Sequence, residues 1–191
     1  MKKTGILAMI LTFFLLLTGC GKTGGTAMDQ ALQFRAALLA AKGCSFSAKI
    51  TADYGEKVYT FGMDCEADGE GNVRFRVTEP ASIAGITGKL TGETGVLTFD
   101  DAALEFGLLA DGQISPVTAP FAVVQSWRVG YITACSREED GLRLTVDGSF
   151  EKNPMTVDSW LDAEKKVPFH TEVCYNDKRI LTLELTNFQL T

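Results

Sequence analysis

The chain contains one histidine, His170, and five cysteines, Cys20, Cys44, Cys65, Cys135 and Cys174. A nucleophilic enzyme needs a base beside its serine or cysteine, and that base is most often histidine. His170 follows Phe169 in an alternating stretch with no G-x-S-x-G elbow anywhere in the chain, which predicts a residue on the surface or edge of a strand. Gly88-Lys89 lies in the Gly-rich run GITGKLTGETG, yet Ile83 stands where a phosphate loop needs its first glycine and Leu90 where it needs Ser or Thr. Asp100-Asp101 and Glu138-Glu139-Asp140 fall at turn positions, where carboxylates serve local hydrogen bonding. These residues predict no catalytic group and no cofactor, hence no enzyme.

Cys44, Cys65, Cys135 and Cys174 are separated by 20, 69 and 38 residues, with no C-x-x-C knuckle and no second histidine; a metal site is not expected. Cys20 has a different setting. Lys2 and Lys3 precede an apolar run, Ile6 to Leu17, which ends in Leu17-Thr18-Gly19-Cys20. A basic start, an apolar core and small residues before a cysteine are the layout of a secretory signal ending in a bacterial lipobox. The expectation is cleavage between Gly19 and Cys20, with a diacylglyceryl group on the Cys20 sulfur. The apolar run is short of the roughly 18 residues that read as a membrane span. Residues 1–19 are thus expected to be a signal peptide, 20–26 a flexible tether and 27–191 one domain. The implied location is the extracytoplasmic face of the cell membrane, with the N-terminal diacylglycerol as anchor. Loss of residues 1–19 removes two lysines and takes the formal charge from −6 to −8. An acidic domain of this kind is a poor ligand for nucleic acid, where phosphate neutralisation dominates.

The apolar content of 46% with 22% charged residues is that of an ordinary globular domain. Met28 to Lys42 reads as an amphipathic helix stopped by Gly43, with Met28, Leu32, Leu38 and Leu39 as the stripe that covers a sheet. From Cys44 the period changes to two: Cys44, Phe46, Ala48, Ile50 and Ala52 alternate with polar residues, and Tyr59, Phe61, Met63, Cys65 and Ala67 follow on the odd positions. A two-residue loop at Tyr54-Gly55 would oppose residues whose numbers sum to 109. Phe46 then faces Met63, Ala48 faces Phe61 and Ile50 faces Tyr59. Cys44 and Cys65 would form a directly opposed pair within disulfide reach, which predicts a bridge between them.

The Gly69-Glu70-Gly71 turn leads to Val73, Phe75 and Val77, whose shared face requires an odd loop. Pro120 to Trp127 predicts a short helix with Thr118 as its cap. Five alternating stretches between Val129 and Phe188 complete the chain. One helix, many antiparallel strands, a second helix and more strands define an α+β fold with a large curved sheet.

The helix and meander CSFSAKITADYGEKVYTFGMDC, the segment NVRFRVTEPASIAGITGKLTGETGVLTFDDAALEF and the closing SWLDAEKKVPFHTEVCYNDKRILTLELTNF resemble the lipoprotein-carrier, LolA/LolB-like family. Its relatives include sigma-factor regulatory periplasmic proteins and lipoproteins of spore-forming bacteria. The resemblance implies an incomplete antiparallel barrel, with the N-terminal and mid-chain helices over its concave apolar face. In the carriers that cavity receives the acyl chains of lipoproteins. Together with the alternation, the resemblance makes Phe46, Ile50, Tyr59, Phe61, Met63, Phe75 and Val77 the expected lining for an apolar ligand. Two functions stay open: binding of an acyl chain, lipid or lipoprotein in that cavity, or a structural or regulatory role toward an envelope protein, for example in sporulation or germination, through the outer surface of the same fold. An open cavity would favour the first and a filled core the second.

Overall fold

The structure, a computed structural model, describes residues 25–92, 94–107, 109–110, 113–148 and 154–191. The expected signal peptide, with Gly19 and Cys20, and most of the expected tether lie outside the described residues. Helix α1 (Ala27–Ala40) is followed by strands β1 (Gly43–Asp53), β2 (Val58–Asp68), β3 (Val73–Glu79), β4 (Thr87–Thr91), β5 (Thr94–Phe99) and β6 (Ala102–Gly107). A small hairpin, β7 (Leu109–Ala110) and β8 (Gln113–Ile114), leads to helix α2 (Ala119–Val129). Strands β9 (Tyr131–Glu138), β10 (Gly141–Asp147), β11 (Met155–Asp162), β12 (Pro168–Tyr175) and β13 (Lys178–Leu190) complete the chain.

Eleven strands form one antiparallel sheet in the order β6-β5-β4-β3-β2-β1-β13-β12-β11-β10-β9, with β6 and β9 as unclosed edges. This is the α+β, incomplete-barrel architecture that the family resemblance implies. Every neighbour pair but one is consecutive in sequence; β13 returns to pair with β1 and joins the two meanders.

The sheet is curled, as contacts of α2 require. Strands β2 and β10 are five steps apart in the sheet, which in a flat sheet would be roughly 24 Å. Yet near the C-terminal end of α2, Arg128 donates to the Gly69 carbonyl and Gln125 to that of Gly71 at 3.1 Å, both in the β2–β3 turn, while Gly130 lies against Val146 of β10. A Cβ at Gly130 would stand 2.3 Å from Val146 Cγ1. Only glycine permits that approach.

The β1–β2 register departs from the expected one. Asp53 pairs with Val58, Ile50 with Phe61, Ala48 with Met63 and Phe46 with Cys65, so opposed numbers sum to 111 rather than 109. The loop is four residues, Tyr54 to Lys57, because the Tyr54 N–H donates to the Lys57 carbonyl at 3.0 Å and the Gly55 N–H to the Asp53 carboxylate at 2.8 Å. A shift of two leaves every side chain on its expected face and changes only its partner. The β2–β3 loop is odd, as expected: Ala67 pairs with Val73 across the five residues Asp68 to Asn72.

Helix α1 also differs from its expected orientation. Thr26 and Asp29 form a reciprocal capping box at its start. Its buried residues are Ala31, Phe34 and Leu38, whereas Met28, Leu32 and Leu39 point outward. In α2, Thr118 does not cap through its side chain; its hydroxyl turns back to donate to the Ser115 carbonyl at 2.9 Å.

Candidate functional site

The expected apolar lining is brought together almost in full. Phe46, Ile50, Phe61, Met63, Phe75 and Val77 all lie buried on one face of β1, β2 and β3. Tyr59 does not join them: it is 50% exposed near the hairpin tip, with its ring 6.4 Å from that of Tyr54. It pairs with Ala52 near the end of the β1–β2 ladder.

The space over this face is occupied. Trp127 of α2 is wholly buried, with its ring in edge contact with Phe34 of α1 at 5.9 Å, Phe46 of β1 at 6.1 Å and Phe188 of β13 at 5.9 Å. Phe46 and Phe188 stack at 6.2 Å. The indole N–H donates to Ser159 Oγ of β11 at 2.8 Å, and the Thr171 hydroxyl reaches the same oxygen at 3.1 Å. An indole whose polar atom is satisfied and whose ring meets three other rings is a packed core centre. Three cavities among the described residues, of about 200, 370 and 770 Å³, lie at the surface, each bordered by several charged side chains. The 770 Å³ one lies among Arg74, Arg76, Lys89 and Thr87; of the expected lining residues only Phe75 borders it.

Arg35 joins the two helices. Its Nε donates to the Trp127 carbonyl at 2.8 Å and its Nη2 to the Ser126 carbonyl at 3.2 Å, which also accepts the Gly130 N–H at 3.1 Å; the guanidinium thus adds donors at a helix end and places a cation at its negative pole. Burial pulls its pKa below the usual guanidinium range, and the nearby Cys135 acts in the opposite direction.

The Cys44–Cys65 bridge is not present. All four cysteines in the described residues are free thiols. Cys44 faces Ala67 and Cys65 faces Phe46, which removes the direct pairing on which the expectation rested. Burial pushes the Cys44 thiol up to about 11, and burial, with Asp64 and Cys44 nearby, raises that of Cys65. Cys135 on β9 and Cys174 on β12 are separated by two intervening strands. No group of three or more His, Cys, Asp or Glu side chains among the described residues could hold a metal ion.

His170 sits on the polar face of β12, an interior strand. Its Nδ1 is 2.8 Å from Glu184 and its Nε2 3.4 Å from Glu172, and its ring meets Trp160 edge-on at 5.0 Å. Arg143 grips the Asp158 carboxylate at 2.9 and 3.3 Å and lies 5.2 Å from the Trp160 ring. Arg179 pairs with Glu172 at 2.6 Å. These groups satisfy one another across β10, β11, β12 and β13 and place no nucleophile beside the imidazole.

No protein-family model and no curated protein sequence matches the chain. Several solved structures follow a similar course. A LolA superfamily protein from Nitrosomonas europaea aligns over 88% of this chain and 94% of its own, with 12% identity and a TM-score of 0.44. A chain of the complex between the CwlD amidase and the GerS lipoprotein of Clostridioides difficile aligns over 90% and 99%, with 14% identity and a TM-score of 0.45. Lipoprotein LppX from Mycobacterium tuberculosis aligns over 85% and 92%, with 10% identity and a TM-score of 0.40. At these scores the likenesses carry no weight for function.

Proposed function

We propose that the chain is a non-enzymatic lipoprotein of the cell envelope, held at the outer face of a membrane by a diacylglycerol on Cys20, and that it works as a protein-docking scaffold. Trp127 carries this reading. It fills, at 0% exposure, the space over the sheet where an acyl chain would have to lie. The lipobox-like Leu17-Thr18-Gly19-Cys20 supports the anchor, and no described helix is long and apolar enough to cross a membrane.

The β6 edge supports docking. Nearly all of Ala102–Gly107 is exposed, Leu104 at 63%, and among the described residues its backbone is paired on the β5 side alone. An unpaired edge accepts an extended segment by strand addition, with main-chain hydrogen bonds giving affinity.

Titration with a fluorescent fatty acid is expected to give no saturable binding to the folded wild-type chain. Photo-crosslinking in cells from a reactive side chain at position 104 is expected to give a discrete adduct with an envelope protein. Saturable fatty-acid binding would return the acyl-chain reading and require α1 or α2 to move. Loss of the adduct would remove the β6 edge as the docking surface.

A further inference from the structure

A surface helix ordinarily turns an apolar stripe inward and a charged face outward. Helix α1 breaks that rule. Its inward arc is supplied by Ala31, Phe34 and Leu38, and its exposed positions are Met28, Asp29, Leu32, Gln33, Ala36, Ala37, Leu39 and Ala40. The outward half therefore carries one charge, Asp29, and that carboxylate is already engaged by the Thr26 N–H and hydroxyl in the capping box, each at 2.8 Å. Met28, Leu32 and Leu39 are 38%, 48% and 48% exposed. At about 100° per residue they project within about 40° of one another. A helix apolar on both sides is one that something covers.

The chain itself indicates what covers it. Seven residues, Cys20 to Thr26, separate the expected lipid attachment from the first turn of α1. Fully extended they reach no more than roughly 25 Å, so an acylated chain cannot hold α1 far from its membrane. We propose that the outer face of α1, with Leu32 and Leu39 as its main contacts and the exposed part of Met28 beside them, whose sulfur lies 3.9 Å from that of Cys135 on β9, rests on the lipid surface to which the chain is tethered. The domain is then docked on the bilayer in one orientation, and the β6 edge, nine strand steps from β10 and ten from β9, the two strands that α1 contacts most, remains free for a partner. The inference rests on the anchor reading above. Apolar contact drives it, so it needs no anionic lipid and withstands salt. Three side chains bind weakly by themselves; the tether raises their effective concentration at the surface until weak contact is enough.

The test uses the mature chain purified from a host that processes lipoproteins, with its acylation read from the intact mass. It is reconstituted into phosphatidylcholine vesicles with or without lipids brominated on their acyl chains. Tryptophan is placed at exposed positions in Leu32→Trp and Leu39→Trp, with Leu104→Trp as control, and circular dichroism checks each fold. Relative to the emission of Trp127 and Trp160 in the parent chain, the added signal at 32 and 39 should shift to the blue and fall roughly twofold with brominated lipid, consistent with burial at the headgroup boundary. The signal at 104 should do neither, and raising the salt should change nothing. An acylated, vesicle-bound chain in which 32 and 39 behave like 104 would overturn the docking while leaving the anchor intact. A stable dimer in sedimentation that buries position 32 without lipid would assign the face to a second copy and overturn it too. An unacylated mature chain would remove the anchor, and the docking with it.

Discussion

Trp127 meets three rings from α1, β1 and β13 and donates to Ser159 on β11. Removal of that ring leaves a cavity bounded by elements that are themselves fixed, so Trp127→Ala is expected to cost about 3–5 kcal/mol in urea unfolding. Trp127→Phe should cost less yet remain destabilising, because the Ser159 hydroxyl loses the indole donor and keeps only that of Thr171. The cysteines give a second residue-scale expectation. Cys44 is raised from 9.0 to about 11 by burial. Below pH 9 the folded and unfolded chains both keep this proton, and stability does not depend on it. Between pH 9 and 11 the unfolded chain releases the proton while the folded chain holds it, so stability falls as pH rises, on the order of 2 kcal/mol from this group. The slope should flatten in Cys44→Ala and flatten further when Cys65→Ala is added; equal slopes in wild type and variants would contradict it. The importance of Trp127 had one trace in the sequence, an indole at the end of PFAVVQSW, a short segment almost without polar residues. The expected Cys44–Cys65 pairing depends on a two-residue loop, whereas the Asp53 carboxylate on the Gly55 N–H sets a four-residue one.

The two helices depend on one side chain. Arg35→Met keeps much of the length of the stem but withdraws the donors from the Ser126 and Trp127 carbonyls, which should lower stability by about 1–3 kcal/mol. Arg35→Lys should recover only part of this, since an ammonium lacks the fork that reaches two carbonyls; full recovery by lysine would mean that charge at the helix end is all that matters. At this scale the alternation of β1, β2 and β3 was legible, because residues of one face stay on that face under any even shift. For the same reason the exact partners were not. The inward face of α1 is ambiguous in the sequence for a related cause. The expected stripe, Met28, Leu32, Leu38 and Leu39, has only Leu38 in the core; Ala31 and Phe34 supply the rest of the inward arc at the same helical spacing, and the smaller Ala31 gives that arc the weaker signal. Ala31 lies against the core without any exposed surface.

Curling of the sheet was implied by resemblance but is held by contacts that no local pattern encodes. The carbonyls of Gly69 and Gly71 accept from Arg128 and Gln125, residues more than fifty positions away in the chain. With the β2–β3 turn on one side and Val146 on the other, α2 should open only when the whole domain does. Its amides are expected to exchange with deuterium at the rate of global unfolding, while those of β5 and β6 exchange faster by local opening. Sub-global exchange of α2 would show the two wings to be independent. The same grip has a mechanical consequence. With the proposed anchor on Cys20, a pull on the lipid would reach the domain just before α1, where Arg137 of β9 holds the Gly25 carbonyl at 2.5 Å. It passes from Arg35 to the end of α2 and from there to both wings of the sheet. A load applied at one end of the chain is thus shared across strands far from it, and drag on a bound partner would be borne by the domain as a unit before any single strand peels away.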